Sequence, residues 1–309
     1  MPIIKSYSVG NGDTFYIQHG SDNFTIIDCC LSEDDADEII ADLKAAGQNK
    51  TIRRFISTHP DDDHFKGIDV LDDAIPIQNF YVVKNNAAKE NDSEAWERYC
   101  TLRDDQKKAF YIYKGCKRKW MNEDDDKRGS SGIEILWPDT NHEEFKSALD
   151  EVETNGAGTN NISAVIRYSI KNGPSFLWLG DLETQFMENI TDSIHLEKTT
   201  VIFASHHGRS SGKIPDSWLE KLDPQLIVIG EAPSRHLHYY SGYDVITQNS
   251  AWDILMNADD GKVHFYCGNS NAKTHRAKLV KDQSVDKDAF PGLTYVGSLT
   301  VETEYTLTG

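Results

Sequence analysis

The chain reads Ser57-Thr58-His59-Pro60-Asp61-Asp62-Asp63-His64-Phe65-Lys66-Gly67 just after a short apolar, strand-like segment at residues 52–56. This loop places two imidazoles and three carboxylates within six residues. Carboxylates repel one another at such short range, so an inward-facing arrangement needs a cation of charge two or more. Imidazole and carboxylate groups are common ligands of divalent metals. The loop therefore predicts a metal site at a strand end; the alternative is a solvated acidic loop or an Asp-rich helix start.

The composition indicates a globular protein with an acidic surface. Of the 309 residues, 38% are hydrophobic and 10% are aromatic, which is enough for one large α/β domain or two smaller ones. Lys and Arg number 32 and Asp and Glu number 50, so the formal charge is −18. This balance disfavours non-specific binding to DNA or to anionic lipid, because such binding needs a basic face.

The sequence gives no sign of a membrane segment or of a disulfide framework. No apolar run approaches the roughly 18 residues that span a bilayer, and the first residues lead into strand-like sequence without a signal-peptide core. The five cysteines show no C-x-x-C spacing, so neither a zinc ribbon nor a redox dithiol is indicated. We predict a cytoplasmic protein whose thiols are reduced and mostly buried.

Hydrophobic periodicity predicts alternating strands and helices. Strands are expected at residues 3–9, 14–18, 24–28, 52–56, 80–83, 133–138, 162–170, 175–179, 199–204, 226–229, 262–267, 279–280 and 293–307. Apolar spacings of three and four predict a helix over residues 34–46 that ends at Gly47. The polar segment at about 84–131, with scattered aromatics and lysines, predicts a mostly helical insertion. We expect this insertion to serve as a solvated cap, with a substrate platform as the alternative.

Three later strand ends carry polar groups that a shared sheet edge would bring to the loop. Asp181 follows a buried strand and a glycine, which suits a bridging metal ligand, although a helix N-cap is the alternative. The adjacent His206 and His207 point different ways, so at most one is expected to bind a metal directly. His236 and His238 form an H-x-H pair that either reaches a substrate oxygen or lies on a surface turn.

These motifs resemble the metallo-β-lactamase superfamily at six places in order. The loop is similar to the H-x-H-x-D-H motif in its H-x-D-x-D-H variant, which is typical of ComEC-like competence-protein hydrolase domains. The other five matches are residues 8–17 to a V-G-x-G-D strand pair, 26–29 to I-D-x-G, 160–165 to N-N-x-S, 179–183 to G-D-x-E and 205–208 to H-H-G. His236 and His238 sit where that subgroup carries a terminal H-P-H, with Leu237 in place of the proline.

The resemblance implies an α/β fold, the four-layer αββα sandwich, with metals at one edge of its two sheets. It implies one domain over residues 1–309, with the insertion at about 84–131 and an unassigned C-terminal extension at about 268–309. By carry-over, one metal is held by His59, Asp61 and Asp181, and a second by Asp63, His64, Asp181 and one of His206 or His207. Asn161 lies near the place of a third histidine that has no counterpart here, so one or two ions are expected. Carboxylates in place of imidazoles let Mn²⁺ compete with Zn²⁺.

The predicted function is a metal-dependent hydrolase, most specifically a phosphodiesterase or nuclease that uses a metal-activated water. Asp63 is expected to orient that water, and His236 or His238 to protonate the leaving oxygen or hold the phosphate. Substrate contacts are predicted for Asn161, Arg209 and Ser210. The alternatives are a thioester, lactone or β-lactam hydrolase on the same fold and a non-catalytic metal-binding interaction module. The acidic surface favours a small nucleotide, or a nucleic acid delivered by a partner protein; the oligomeric state stays open.

Overall fold

The computed structural model describes residues 1–89, 93–259, 261–272, 274–275 and 279–302. Its strands are β1 (Ile3–Ser6), β2 (Phe15–Gln18), β3 (Asn23–Ile27), β4 (Ile52–Ser57), β5 (Phe80–Val82), β6 (Ala109–Tyr111), β7 (Ile133–Trp137), β8 (Val165–Ser169), β9 (Ser175–Trp178), β10 (Val201–Phe203), β11 (Leu226–Ile229), β12 (Val245–Thr247), β13 (Ile254–Ala258), β14 (Lys262–Cys267), β15 (Thr274–His275) and β16 (Thr294–Thr300). Its helices are α1 (Ala36–Ala46), α2 (Asp62–Phe65), α3 (Ile68–Ala74), α4 (Glu94–Asp104), α5 (Glu143–Asn155), α6 (Thr184–Asn189), α7 (Asp216–Leu222) and α8 (Gln248–Ala251).

The strands form two mixed sheets. The first runs in the order β16-β14-β13-β1-β2-β3-β4-β5-β6, and the second in the order β15-β12-β11-β10-β9-β8-β7. Strands β3 to β6 are mutually parallel in the first sheet, as are β9 to β12 in the second. The loops that follow parallel strands leave a sheet at one edge. Each sheet therefore presents a group of loops on which a site can be built.

An aromatic cluster joins the two sheets. The ring of Phe15 on β2 lies 6.1 Å from Trp178 on β9 and 4.9 Å from Phe203 on β10. Trp178 stacks on Phe203 with ring centroids 4.7 Å apart. Such pairs stabilise a fold by about 0.5–1.5 kcal/mol each beyond the burial of their area. Helices cover the sheets in turn, and the αββα sandwich expected from the sequence is confirmed.

The helices follow the apolar spacing of the sequence. In α1 the buried residues are Ile39, Ile40 and Leu43, and the helix ends at Gly47 as expected. In α5 the ring of His142 accepts a hydrogen bond from the Glu144 N–H and caps the first turn. Within the described part of the chain, no helix combines the length and the apolar composition needed to cross a bilayer.

The prediction of a mostly helical insertion is wrong for the described residues of the segment 84–131. The segment contains one helix, α4, and one strand, β6, and its remaining described residues are irregular. Strand β6 forms because the short run Ala109–Tyr111 pairs in parallel with β5, which extends the first sheet. The irregular part is held by side chains instead, as where Arg54 donates to the carbonyl of Trp120. Residues 90–92 lie outside the described residues.

The C-terminal region completes both sheets. Strand β16 pairs with β14 at one edge of the first sheet, and β15 pairs with β12 at one edge of the second. The expected strand at 279–280 is only an isolated bridge between Val280 and Ser298, and residues 303–307 of the expected last strand lie outside the described residues. The sequence reasoning missed β12 and β13. The division into one domain with an insertion and an extension stays a prediction.

Candidate metal centre

The acidic loop leaves the end of β4 and turns at once into the short helix α2. His59 lies before the helix and is buried, and Asp61 is in extended backbone at its N-terminus. The turn of helix that follows aims Asp63 and His64 at the second sheet, where His64 is fully buried. Asp62 points the other way and has a side chain that is 75% exposed. The spacing thus divides the loop into residues that face the site and one that does not.

The second sheet delivers its groups from the ends of β9 and β10. Asp181 is buried and follows Gly180, whose φ is +53°. A Cβ at Gly180 would lie 2.7 Å from the Cβ of Ser163, so the close approach requires glycine there. His206 and His207 both have positive φ, at 51° and 54°. Two consecutive left-handed residues are strained, and strain of this kind concentrates at functional sites.

Four side chains, Asp63, His64, Asp181 and His207, converge where the two groups of loops meet. The Nε2 atom of His64 lies 3.2 Å from Asp181 Oδ1 and 4.0 Å from Asp63 Oδ1. The Nε2 atom of His207 lies 3.5 Å from Asp63 Oδ2 and 3.6 Å from Asp181 Oδ2. Ligand atoms about 2.1 Å from a metal in tetrahedral geometry are about 3.4 Å apart. We call these four residues the His64 group, and their spacing fits one divalent ion.

Unpaired buried atoms provide a second test of this fit. Among the described residues, the Nε2 atoms of His59, His64 and His207 and the Oδ1 atom of Asp181 are buried without a hydrogen-bond partner. Buried polar atoms are rarely left unpaired, because each costs about 1–3 kcal/mol. Here ring nitrogens face carboxylate oxygens, as where His64 Nε2 lies 3.2 Å from Asp181 Oδ1, but they are not aligned as hydrogen bonds. One divalent cation would satisfy the unpaired atoms of His64, His207 and Asp181 together, whereas His59 Nε2 faces Asp61.

A second group, His59, Asp61 and His206, lies beside the first and is less enclosed. His59 Nε2 is 3.7 Å from Asp61 Oδ2, and His206 Nε2 is 3.7 Å from Asp181 Oδ2. The side chain of Asp61 is 31% exposed, and its Oδ1 atom accepts a hydrogen bond from the Thr159 hydroxyl at 2.7 Å. We call this the His59 group. Asp181 lies between the two groups, as a bridging ligand would.

Two carboxylates that the sequence reasoning did not assign to the site hold its imidazoles in place. Asp28 Oδ2 lies 2.9 Å from Nδ1 of His64, and Asp13 Oδ1 lies 3.2 Å from Nδ1 of His207. A carboxylate behind a histidine fixes the ring so that its other nitrogen faces the metal. The ligand atoms of Asp13, His64, Asp181 and His207 lie within 4.8 Å of one another. Because Asp13 contacts Nδ1, we interpret it as orienting His207 rather than binding the ion.

The electrostatics of the metal-free centre are dominated by pairing between imidazoles and carboxylates. Burial lowers the pKa of His207, but Asp13 and Asp181 outweigh it and raise that pKa to about 10. Burial also lowers the pKa of His64, yet Asp181 and Asp28 raise it well above its ordinary value. Burial raises the pKa of Asp181, but the two imidazoles hold it well below its ordinary value. In the absence of metal, the neighbouring carboxylates therefore favour the protonated form of both rings.

Metal binding is expected to release protons and to strengthen as pH rises. A metal ligates only the neutral ring, whereas in the metal-free protein the neighbouring carboxylates favour the imidazolium form of His64 and His207. Over pH 6–8 the logarithm of the dissociation constant should fall by about one to two per pH unit, because about one to two protons leave. Calorimetry in buffers of different ionisation enthalpy measures this release directly. An affinity that does not change with pH would contradict the assignment of these rings as ligands.

Asp13→Asn is expected to weaken metal binding while the fold is retained. The amide keeps the shape of the side chain but loses the charge that orients the His207 ring, and loss of such a partner typically costs about 10–100-fold in metal affinity. Metal titration of the purified variant measures the effect. Asp22→Asn is the matched control, because Asp22 makes its contacts with Thr51 at the start of β4, away from the loop. Equal affinities in the two variants would show that Asp13 has no role in the centre.

The predicted substrate-binding residues are placed differently from one another. Asn161 forms a reciprocal pair with Glu183: its Nδ2 donates to Oε2 of Glu183 at 3.0 Å, and the Glu183 N–H donates to its Oδ1 at 3.2 Å. Arg209 is partly exposed and donates to the side-chain oxygen of Asn11. Asn11 in turn donates to Oδ2 of Asp63 at 3.2 Å. Arg209 is thus linked to the centre. Ser210 is exposed, and it is Ser211 that contacts His206.

The hydrogen bonds of His236 lie within the loop that carries the H-x-H pair. Nδ1 of His236 lies 3.1 Å from the hydroxyl of Tyr239, and Arg235 donates to its Nε2 at 3.1 Å. His238 is exposed, with its ring 4.7 Å from that of Tyr239. Burial, Arg235 and Arg209 lower the pKa of His236, so this ring is neutral at pH 7. The structure does not bring either ring into contact with the described metal-centre residues, and their catalytic role stays a prediction.

The sequence of the chain matches a known protein family over the region that contains the acidic loop. Residues 7–142 match the family model described as the metallo-beta-lactamase superfamily. The matched residues make up less than half of the chain, which is similar to this superfamily over its first part. The matched region contains the acidic loop together with Asp13 and Asp28, and the second sheet continues the same fold beyond it. Among curated proteins, none matches this sequence.

The solved structures that are similar to this chain include one with a low level of likeness. It is a diphosphatase from the PhnP family, with 12% sequence identity and a TM-score of 0.37. The match covers 75% of this chain and 86% of that chain. A likeness of this size carries no argument about activity.

Proposed function

We propose that this protein is a metal-dependent hydrolase that cleaves phosphodiester bonds. The observation that carries the proposal is the convergence of the His64 group, in which buried ring and carboxylate atoms face one another without hydrogen-bond partners. A bound divalent cation would supply Lewis-acid charge and a water of lowered pKa at this point. Because the set mixes imidazoles with carboxylates, we propose Zn²⁺ or Mn²⁺ as the ion.

The residues around the centre support an anionic substrate. Asn11 connects Asp63 to Arg209, so a guanidinium group stands at the mouth of the centre and is partly open to solvent. A guanidinium binds phosphate oxygens through two parallel hydrogen bonds, which an ammonium does not do. Burial raises the pKa of Asp63, but His207 and His64 lower it below its ordinary value. We propose that Asp63 stays ionised and orients the attacking water by accepting its hydrogen bond.

The net charge of the chain limits the class of substrate that it is expected to bind. At −18 the chain repels long nucleic acids, so we propose a small nucleotide, or a nucleic acid presented by a partner protein. The likeness of the loop to ComEC-like hydrolase domains supports a phosphate ester and gives no further detail. A nuclease activity and a cytoplasmic location remain proposals that rest on the sequence alone.

The test is turnover of bis(p-nitrophenyl) phosphate by protein that has been stripped of metal and reloaded with Mn²⁺ or Zn²⁺. The same preparations are assayed with a thioester, a lactone and a β-lactam. The proposal expects turnover of the phosphodiester that depends on added metal. Turnover of the other esters alone would favour the second class of hydrolase, and bound metal without turnover of any substrate would favour a binding module.

A further inference from the structure

A lysine lies against the metal centre, outside the ligand groups described above. The ammonium of Lys89 is 2.9 Å from Asp62 Oδ1 and 3.7 Å from Asp61 Oδ1. Its stem and charge pack over two aromatic rings, with the nitrogen 4.8 Å from the centre of the Phe65 ring and 5.6 Å from that of Trp96. The side chain is only 20% exposed. Lys89 is therefore a fixed cation rather than a mobile surface lysine.

This cation acts on one ligand group and not on the other. Oδ1 of Asp61 already accepts from Thr159 and faces Lys89, which leaves Oδ2, 3.7 Å from His59 Nε2, to bind an ion. The partners of Asp63 in the His64 group are imidazoles and the Asn11 amide. The carboxylate of Asp61 thus has a lysine ammonium beside it, whereas the carboxylate of Asp63 has imidazoles and an amide.

We propose that Lys89 makes the centre unequal, so that the His64 group binds one divalent ion tightly and the His59 group binds a second ion weakly. An ion held by Oδ2 of Asp61 would lie no more than roughly 8 Å from the ammonium, given ordinary metal–oxygen bond lengths. At that range, in a partly buried site, like charges repel with little screening. Lys89 takes over part of the charge balance that a second cation would otherwise provide to Asp61. The inference rests on the proposed metal centre, although not on the identity of the substrate.

The experiment is a titration of metal-free protein with Mn²⁺, in which the number of bound ions and each dissociation constant are measured. The wild-type protein should bind one ion at least tenfold more tightly than a second. Lys89→Met keeps an unbranched apolar stem against the two rings but removes the charge. In this variant the second ion should bind at least tenfold more tightly than in the wild type, and the first ion should change little.

Two further variants separate charge from packing. Lys89→Arg keeps the positive charge and should keep the unequal binding of the wild type. Lys84→Met is the matched control, because Lys84 is exposed and its nitrogen lies 5.5 Å from the centre of the Tyr111 ring in a comparable aromatic contact. It should titrate like the wild type. Circular dichroism and thermal unfolding confirm that each variant is folded before its metal content is compared.

The outcomes are distinguishable from those of the proposed function. Equal affinity for two ions in the wild type, or unchanged binding of the second ion in Lys89→Met, would overturn the inference. If Lys89→Met instead raises only the KM for a phosphodiester, the lysine belongs to substrate binding and the inference is also overturned. Failure of phosphodiester turnover would refute the proposed activity but would leave the titration unaffected.

Discussion

Asp181→Asn is expected to abolish phosphodiester turnover and to strip the centre of its tightly bound metal. Asp181 is buried and faces the Nε2 atoms of His64, His206 and His207 within 3.7 Å. Loss of a partner behind a ligand costs about 10–100-fold in metal affinity, so loss of this central carboxylate should cost more than about 100-fold. Activity should fall by roughly 10³-fold or more, because the carboxylate serves both ligand groups.

The variant should still fold, which makes the result interpretable. Asparagine keeps the volume of the side chain, and the imidazoles that lose their counter-charge can release their protons. Asp216→Asn is the matched control, because that carboxylate is 81% exposed and pairs with Lys213 three residues earlier. Metal content by mass spectrometry, turnover and thermal unfolding are compared in the two variants. A fully active, metal-loaded Asp181→Asn protein would exclude the proposed centre.

His207→Ala is expected to be much more damaging than His206→Ala. The ring of His207 is buried, with Nδ1 fixed by Asp13 and Nε2 turned toward Asp63 and Asp181. The ring of His206 is 15% exposed, and its Nδ1 lies 3.0 Å from the Ser211 hydroxyl. His207→Ala should lower the affinity for the ion in the His64 group by more than about 100-fold. His206→Ala should lower the same affinity by about tenfold or less.

Metal titration of the two alanine variants measures this difference. His195→Ala is the control, because His195 is 77% exposed and pairs with Glu197 away from the centre. The same order is expected for turnover of the phosphodiester. If His206→Ala loses the tightly bound ion and His207→Ala keeps it, the assignment of the two rings is reversed.

The sequence was sufficient for those features of the site that depend on local spacing. The H-x-D-x-D-H loop, Asp181 after its glycine and the paired histidines each follow a strand, and short-range pattern predicts that sheet edges carry them. The sequence does not decide between His206 and His207 as the metal ligand. The orientation of the two rings depends on two consecutive residues with left-handed backbone angles. The sequence Ser205-His206-His207-Gly208 does not predict those angles.

Other features depend on contacts between distant parts of the chain, which the sequence alone does not show. The sequence places Asp13 and Asp28 within motifs but does not mark them as site residues, because their role depends on contacts with His207 and His64. A buried imidazole ligand needs an acceptor for its second nitrogen, and that requirement was the available signal. Strand β13 lies between β14, which follows it in the chain, and β1 at the other end of the chain, and only the pairing with β1 depends on a distant contact.

The most direct test of the central claim is the anomalous diffraction from a crystal grown with Zn²⁺. The account predicts a peak within about 2.0–2.2 Å of His64 Nε2, His207 Nε2 and a carboxylate oxygen of Asp181. A weaker peak, or none, is expected between His59 and Asp61. Zinc found only at other sites, with these buried atoms bonded to water or to one another, would contradict the account.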